Sequence, residues 1–167
     1  FDLIGTEFHR WVRDHETALG LRTSQDFTRF IEHDFAFYTR WYERLRRAAE
    51  KLTAGMECVN YNAHHNFTLQ YPLALAPLRQ EDTEETALRK IRVVAAFVDV
   101  LIHRRIWNFR AIDYSTMQYA MFLVMRDIRG KSVDELVGIL QKRLADENES
   151  FATNDRFRLH GMNGRQI

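Results

Sequence analysis

The stretch HHNFTLQYPLALAPL, residues 64–78, sets two adjacent histidines and an asparagine ahead of an apolar run broken by Pro72 and Pro77. Two kinds of chemistry are open to His64 and His65: metal ligation, or hydrogen bonding to backbone carbonyls and helix ends. Adjacent histidines share one ion only with strain, and a tetrahedral site needs a further ligand. The candidates are Cys58, close in sequence, and His103 or His160, far from it. The chain carries no HExxH, no CxxC and no paired carboxylate motif, so the structural role outweighs the metal one and no metal ligand is assigned. Cys58 as a nucleophile requires a histidine base and an activating environment. Nothing in the sequence singles it out, and it reads as a small packed thiol. GxSxG, GxxxxGK[ST] and GxGxxG are also absent, so neither a catalytic residue nor a cofactor is expected in this chain.

The segment HRRIWNFR, residues 103–110, surrounds Trp107 and Phe109 with three arginines and a histidine. Guanidinium groups bind phosphate through forked, charge-assisted hydrogen bonds, and aromatic rings stack on bases. Arg104, Arg105, Arg110 and Trp107 are therefore candidate DNA-binding residues. Arg44 and Arg47, from RWYERLRR at 40–47, join them if the two faces meet. His64 and His65 complete the set as residues lining a groove. The alternative is a solvated helix end, with cations favourably placed against the helix dipole. Asp99 lies inside the apolar run VVAAFVDVLI and must find a partner there. His103, one turn later, or Arg104 can supply it, and a structural ion pair is preferred to a catalytic acid.

Helices must position these residues. Phe27, Phe30, Ile31, Phe35, Tyr38, Trp41, Tyr42, Leu45, Ala49 and Leu52 recur at spacings of three and four, which predicts one long amphipathic helix over 26–52. Ser24 is its expected N-cap, and Gly55 lies near its end. Residues 5–18 suit a short helix, 56–66 a structured loop, and 67–78 a short buried helix starting near Pro72. Asp82 with Glu85 reads as a capping box opening a helix to about Ile106. Ser115 is expected to cap TMQYAMFLVMRDIR, closed by Gly130. That helix is apolar on most sides and is therefore expected to be central. Ser132 with Glu135 opens a last helix to about Glu147. The fold class is all-α, an irregular bundle of about five to six helices in a single domain, 1–167.

The 167 residues are 46% hydrophobic and 13% aromatic, with only 7 Gly and 2 Pro, which excludes disorder and suits a helical core. A net charge of +1 does not by itself call for nucleic acid. Apolar runs are too short to span a membrane. One cysteine excludes an internal disulfide and suits the cytoplasm. The first residue is Phe1 and the tail FRLHGMNGRQI, with His160, Asn163 and Arg165, has no natural stopping pattern. The chain is therefore expected to be part of a longer multidomain protein, with flanking domains and a second copy among its possible partners.

Three segments, YNAHHNFTLQYPLALAPLR, RKIRVVAAFVDVLIHRRIWNFRAIDYSTMQYAMFLVMRDIRG and FRLHGMNGRQI, together resemble one family. They are similar to the helical region between the two conserved halves of GmrSD-type restriction proteins, over residues 26–167. The resemblance implies a bacterial, cytoplasmic, modification-dependent endonuclease that defends against phage DNA. It implies a ParB-like, nucleotide-handling N-terminal half with an Asp-Gly-Gln-Gln-Arg motif and an HNH-type nuclease C-terminal half. Some relatives sense phosphorothioated DNA, others sugar-modified cytosine. Neither half is in this sequence, which has no DGQQR string. The HHN of 64–66 lies between helical stretches and inherits no nuclease role. The implied function is a helical connector or DNA-facing domain that is not catalytic by itself. The alternative is a purely structural interaction or dimerisation module.

Overall fold

A computed structural model of the chain describes residues 7–152 and 154, so His160, Asn163 and Arg165 lie outside the described residues. Among the described residues every regular element is helical, as the periodicity predicts. The chain falls into two compact units, Phe1–Trp41 and Tyr42–Ile167.

In the first unit, α1 spans Phe8–Asp14 and α2 spans Ser24–Arg29. Thr23, one residue before the expected Ser24, caps α2. Its hydroxyl accepts from the Asp26 N–H, and the Asp26 carboxylate accepts from the Thr23 N–H at 2.8 Å. A π-helical stretch, Phe30–Phe35, follows without a break and leads into α3, Ala36–Glu50, whose latter part belongs to the second unit. Aromatic contacts run within the unit: Phe8 lies 6.4 Å from both Trp11 and Phe35, and Trp11 stacks on His15 at 4.5 Å. Leu21 and Trp41 are the buried apolar residues among those described in this unit.

The second unit holds the core. Its helices after α3 are α4 (Glu57–His64), α5 (Gln70–Leu75), α6 (Glu84–Trp107), α7 (Tyr114–Ile128) and α8 (Val133–Asp146). The central helix is α6, and not α7 as its composition suggests. Helix α6 packs against α4, α5 and α8, and buries Ile91, Val94, Val98, Leu101 and Ile102 to 2% exposure or less. Each such side chain contributes ~1.5–3 kcal/mol of burial. Helix α7 buries one stripe, Met117, Met121, Val124 and Ile128, against α5 and α8, and leaves Tyr119 72% exposed. An apolar composition draws a helix inward only where neighbours cover more than one face.

Residues 57–64 form a helix where the sequence suggested a loop. The inward positions of α4 include Asn60 and Asn62 beside Val59, so the hydrophobic period is hidden. Asn60 Nδ2 donates to the Ala49 carbonyl at 2.9 Å, and Asn62 Nδ2 to the Ala95 carbonyl at 3.1 Å. These two donors bond α4 to its neighbours, while the buried Asn62 Oδ1 has no hydrogen-bond partner.

Two caps also differ from expectation. Thr83 caps α6 and Asp113 caps α7, in place of Asp82 and Ser115. The Ser132–Glu135 capping box of α8 forms as expected. Asp82 takes another role. It accepts from the Arg79 N–H at 2.8 Å and pairs with the buried Lys90 ammonium at 2.7 Å, which also donates to the Pro77 carbonyl at 3.0 Å. This ion pair fastens the loop between α5 and α6, and a buried charge needs such full partnering.

Candidate functional site

The candidate DNA-binding residues occupy two places along α6. Arg44 pairs with Glu84, the first residue of α6, at 3.1 Å. Arg47, within a turn of it, pairs with Glu43 at 3.3 Å. Arg104 and Arg105 lie in the last turn of α6. Twenty residues at 1.5 Å rise put the two ends about 30 Å apart. The condition on which Arg44 and Arg47 would join the other arginines, that the two basic faces meet, is therefore not met.

At the far end of α6 the arginines serve the fold. Arg104 donates from a terminal nitrogen to the Leu144 carbonyl at 2.5 Å, one of the orphan acceptors at the end of α8. Its guanidinium also lies over the Phe151 ring at 6.0 Å. Arg105 donates twice to the Ala111 carbonyl, at 3.0 and 2.9 Å, and closes the loop that follows α6. Arg110 pairs with Glu149 at 2.7 Å. Asn108, on the same loop, bridges the Arg104 and Ser150 carbonyls at 2.8 and 2.9 Å. Four polar side chains thus tie the loop and residues 144–151 to α6. Trp107 and Phe109 remain exposed beside them, at 45% and 44%.

The histidines divide. His64, the last residue of α4, is exposed. His65 stands edge-on to His103, with ring centroids 5.1 Å apart. Rising residue numbers pair along the two helices, Gly55 with Arg92, Asn62 with Ala95 and His65 with His103. Helices α4 and α6 therefore run in the same sense, and this brings His65 to the arginine end. His103 Nδ1 bonds the Asp99 carbonyl at 2.8 Å and lies 3.5 Å from the Asp99 carboxylate. His103 thus bonds the backbone oxygen of Asp99, while the Asp99 Oδ1 that faces the ring has no hydrogen-bond partner, so the ion pair expected there is not made as a hydrogen bond.

The Cys58 thiol, half-buried, is pushed up by burial first and by the nearby Asp99 and Glu57 carboxylates second. That environment favours the thiol over the nucleophilic thiolate. Among the described residues no group of three or more His, Cys, Asp or Glu is placed to hold a metal ion. No helix of the described residues is long and apolar enough to cross a membrane.

Two residues that sequence reasoning passed over stand out. Lys90 holds the α5–α6 loop, and its signal in sequence was a lysine on the same helical stripe as Ala87, Ile91 and Val94. Gln70 is 3% exposed, and neither side-chain amide atom has a hydrogen-bond partner. Its signal was a polar residue between Leu69 and Tyr71 in an apolar run. No family model, no curated protein and no solved structure matches the chain.

Proposed function

We propose that the chain is a helical connector within a bacterial, cytoplasmic, modification-dependent restriction endonuclease, without catalysis of its own. Its role is to hold the nucleotide-handling and nuclease halves in register. The supporting observation is the use made of its arginines. Arg104, Arg105 and Arg110 brace a loop and the segment after α8, while Trp107 and Phe109 face outward. A braced end with exposed aromatic rings suits contact with a flanking domain, since aromatics dominate interface energetics. The family resemblance of residues 26–167 supplies the parent protein.

The second reading, a DNA-facing surface, draws on the placement of His65 and His103 beside that same end. Fluorescence anisotropy of the full chain with modified and unmodified duplex DNA, over a salt series, separates the two. The connector reading expects weak binding with a shallow salt slope, because partnered guanidiniums release few counterions. A steep slope, removed by Arg105→Ala with Arg110→Ala, favours the DNA-facing surface. Cleavage of duplex DNA by this chain with a divalent metal overturns both.

A further inference from the structure

A recess of about 200 Å³ in the second unit is walled by Arg46, Glu50, Asn66, Thr68, Gln70 and Tyr71. Three features of it point to a ligand. Gln70 contributes a carboxamide that is 97% removed from solvent by the fold, with both the Oε1 acceptor and the Nε2 donor unpartnered. Buried amides are hydrogen-bonded in folded proteins, so an orphaned pair requires an explanation. Tyr71 supplies an aromatic floor, braced edge-on by Tyr42 at 5.6 Å. The Arg46 guanidinium lies over that ring at 5.5 Å.

We propose that this recess is a nucleobase pocket. A carboxamide offers a donor and an acceptor side by side, the pattern that pairs with the adjacent donor and acceptor along a base edge. Planar bases stack on tyrosine rings and on guanidinium planes. Arg46 is the movable wall. It is half exposed and held by a long 3.5 Å bond to the Tyr71 hydroxyl and a 3.6 Å contact to Glu50. The Gln70 amide atoms are closed off from water, so a base reaches them once Arg46 turns aside, and the freed guanidinium then covers the base. The Arg46–Glu50 pairing leaves the wall close to neutral, which suits an uncharged base better than an isolated phosphate. The base can come from a free nucleoside or from an unpaired strand. The pocket stands apart from the connector reading and survives its failure.

The test is an NMR titration of the full chain with adenosine, cytidine, guanosine and uridine separately, and with a short single-stranded oligonucleotide. The Gln70 side-chain NH₂ resonances should move saturably with at least one nucleoside. Gln70→Met should weaken that binding roughly ten- to hundredfold, the value of one bidentate base contact, with no loss of melting temperature because an orphaned amide is removed. Tighter binding of the oligonucleotide identifies an unpaired strand as the source, and tighter binding of the nucleoside a free ligand. Absence of any shift, or a Met variant that binds as the wild type does, overturns the proposal and leaves a recess filled by water. Should Gln70→Met fail to fold, the wild-type amide shift decides alone.

Discussion

The long helical run from Ser24 to Glu50 carries one apolar stripe with two outcomes. Phe27, Ile31, Phe35 and Tyr38, in the first unit, stay between 39% and 55% exposed. Leu45 and Ala48, further along the same run, are buried to 1%. Larger apolar residues thus stay exposed while a leucine and an alanine are buried, although Trp41 of the first unit is buried to 3% and Tyr42 of the second is 43% exposed. The π-helical stretch Phe30–Phe35 falls within the exposed part. The difference lies in what is available to cover each half. Leu45 and Ala48 belong to the unit in which α6 gathers three helices around itself. Amphipathic period therefore identifies a helix and its sticky face, but burial also requires a partner surface of matching length.

The sharpest way to break this contrast is a matched pair of truncations. Ile102, fully buried in α6, leaves a cavity when cut back, and Ile102→Ala should cost about 2–5 kcal/mol in urea unfolding. Ile31→Ala, at 55% exposure, should stay within about 0.5 kcal/mol. Equal losses at the two positions would show that the stripe of the first unit is covered in solution, as the interaction-module alternative requires.

The next effect concerns a charge instead of a methyl group. Asp82→Ala strands the Lys90 ammonium, which is 3% exposed at its side chain. Breaking a buried pair from one side costs about 3–5 kcal/mol, and the lower end applies here because Pro77 still accepts from the ammonium. Adding Lys90→Met in the Asp82→Ala background should recover a large part of the loss. A double variant no more stable than Asp82→Ala alone would assign the loss to the Arg79 turn that Asp82 also caps.

These residues show what was legible from the sequence. Periodicity sufficed for the all-helical fold and for the ends of α8, where cap chemistry and apolar spacing agree. It failed for α4, because Asn60 and Asn62 face inward and read as loop residues. It misplaced the centre, since α7 has the richer apolar composition whereas α6 has the neighbours. The candidate site suffered from the same limit. Sequence shows that Arg104, Arg105 and Arg110 are close together, but Leu144 and Glu149, the partners of Arg104 and Arg110, are set by tertiary packing, and the Ala111 carbonyl taken by Arg105 by the turn of the following loop. His65 and His103, 38 positions apart in number, meet only because α4 runs alongside α6.

Two glycines sharpen the contrast at smaller scale. Gly20 and Gly55 both adopt left-handed backbone, with φ of +70° and +79°. A Cβ on Gly20 meets open space, so Gly20→Ala carries backbone strain alone, about 1 kcal/mol. A Cβ on Gly55 would come 2.5 Å from an Arg92 guanidinium nitrogen. Gly55→Ala should therefore cost the same strain plus the Arg92 Nε bond to the Gly55 carbonyl, a further ~1 kcal/mol. Equal losses in thermal melts would mean that Arg92 moves aside freely.

The smallest effect is a titration that the two units should answer differently. Both carry a capping box. Glu135 is held down to about 2, first by the Ser132 N–H and then by Lys131 and the Ser132 hydroxyl. Asp26 is also lowered, first by the Thr23 hydroxyl and then by the Thr23 and Arg22 N–H groups. A carboxylate with a depressed folded pKa stabilises fully above its unfolded value and loses that contribution as pH falls through the folded one. For Glu135 the window runs from its ordinary 4.5 down to about 2. Helix α8 keeps Leu136 and Leu140 in the core when its cap is protonated, whereas α2 buries no residue. Hydrogen exchange should accordingly show the Phe27 amide, bonded to the Thr23 carbonyl at 3.2 Å, losing protection in acid before the Leu136 amide does. Asp26→Asn should shift the Phe27 loss to neutral pH and leave Leu136 unchanged. Simultaneous loss at both amides would mean that the units unfold as one, and that the exposed stripe is an integral part of a single cooperative fold.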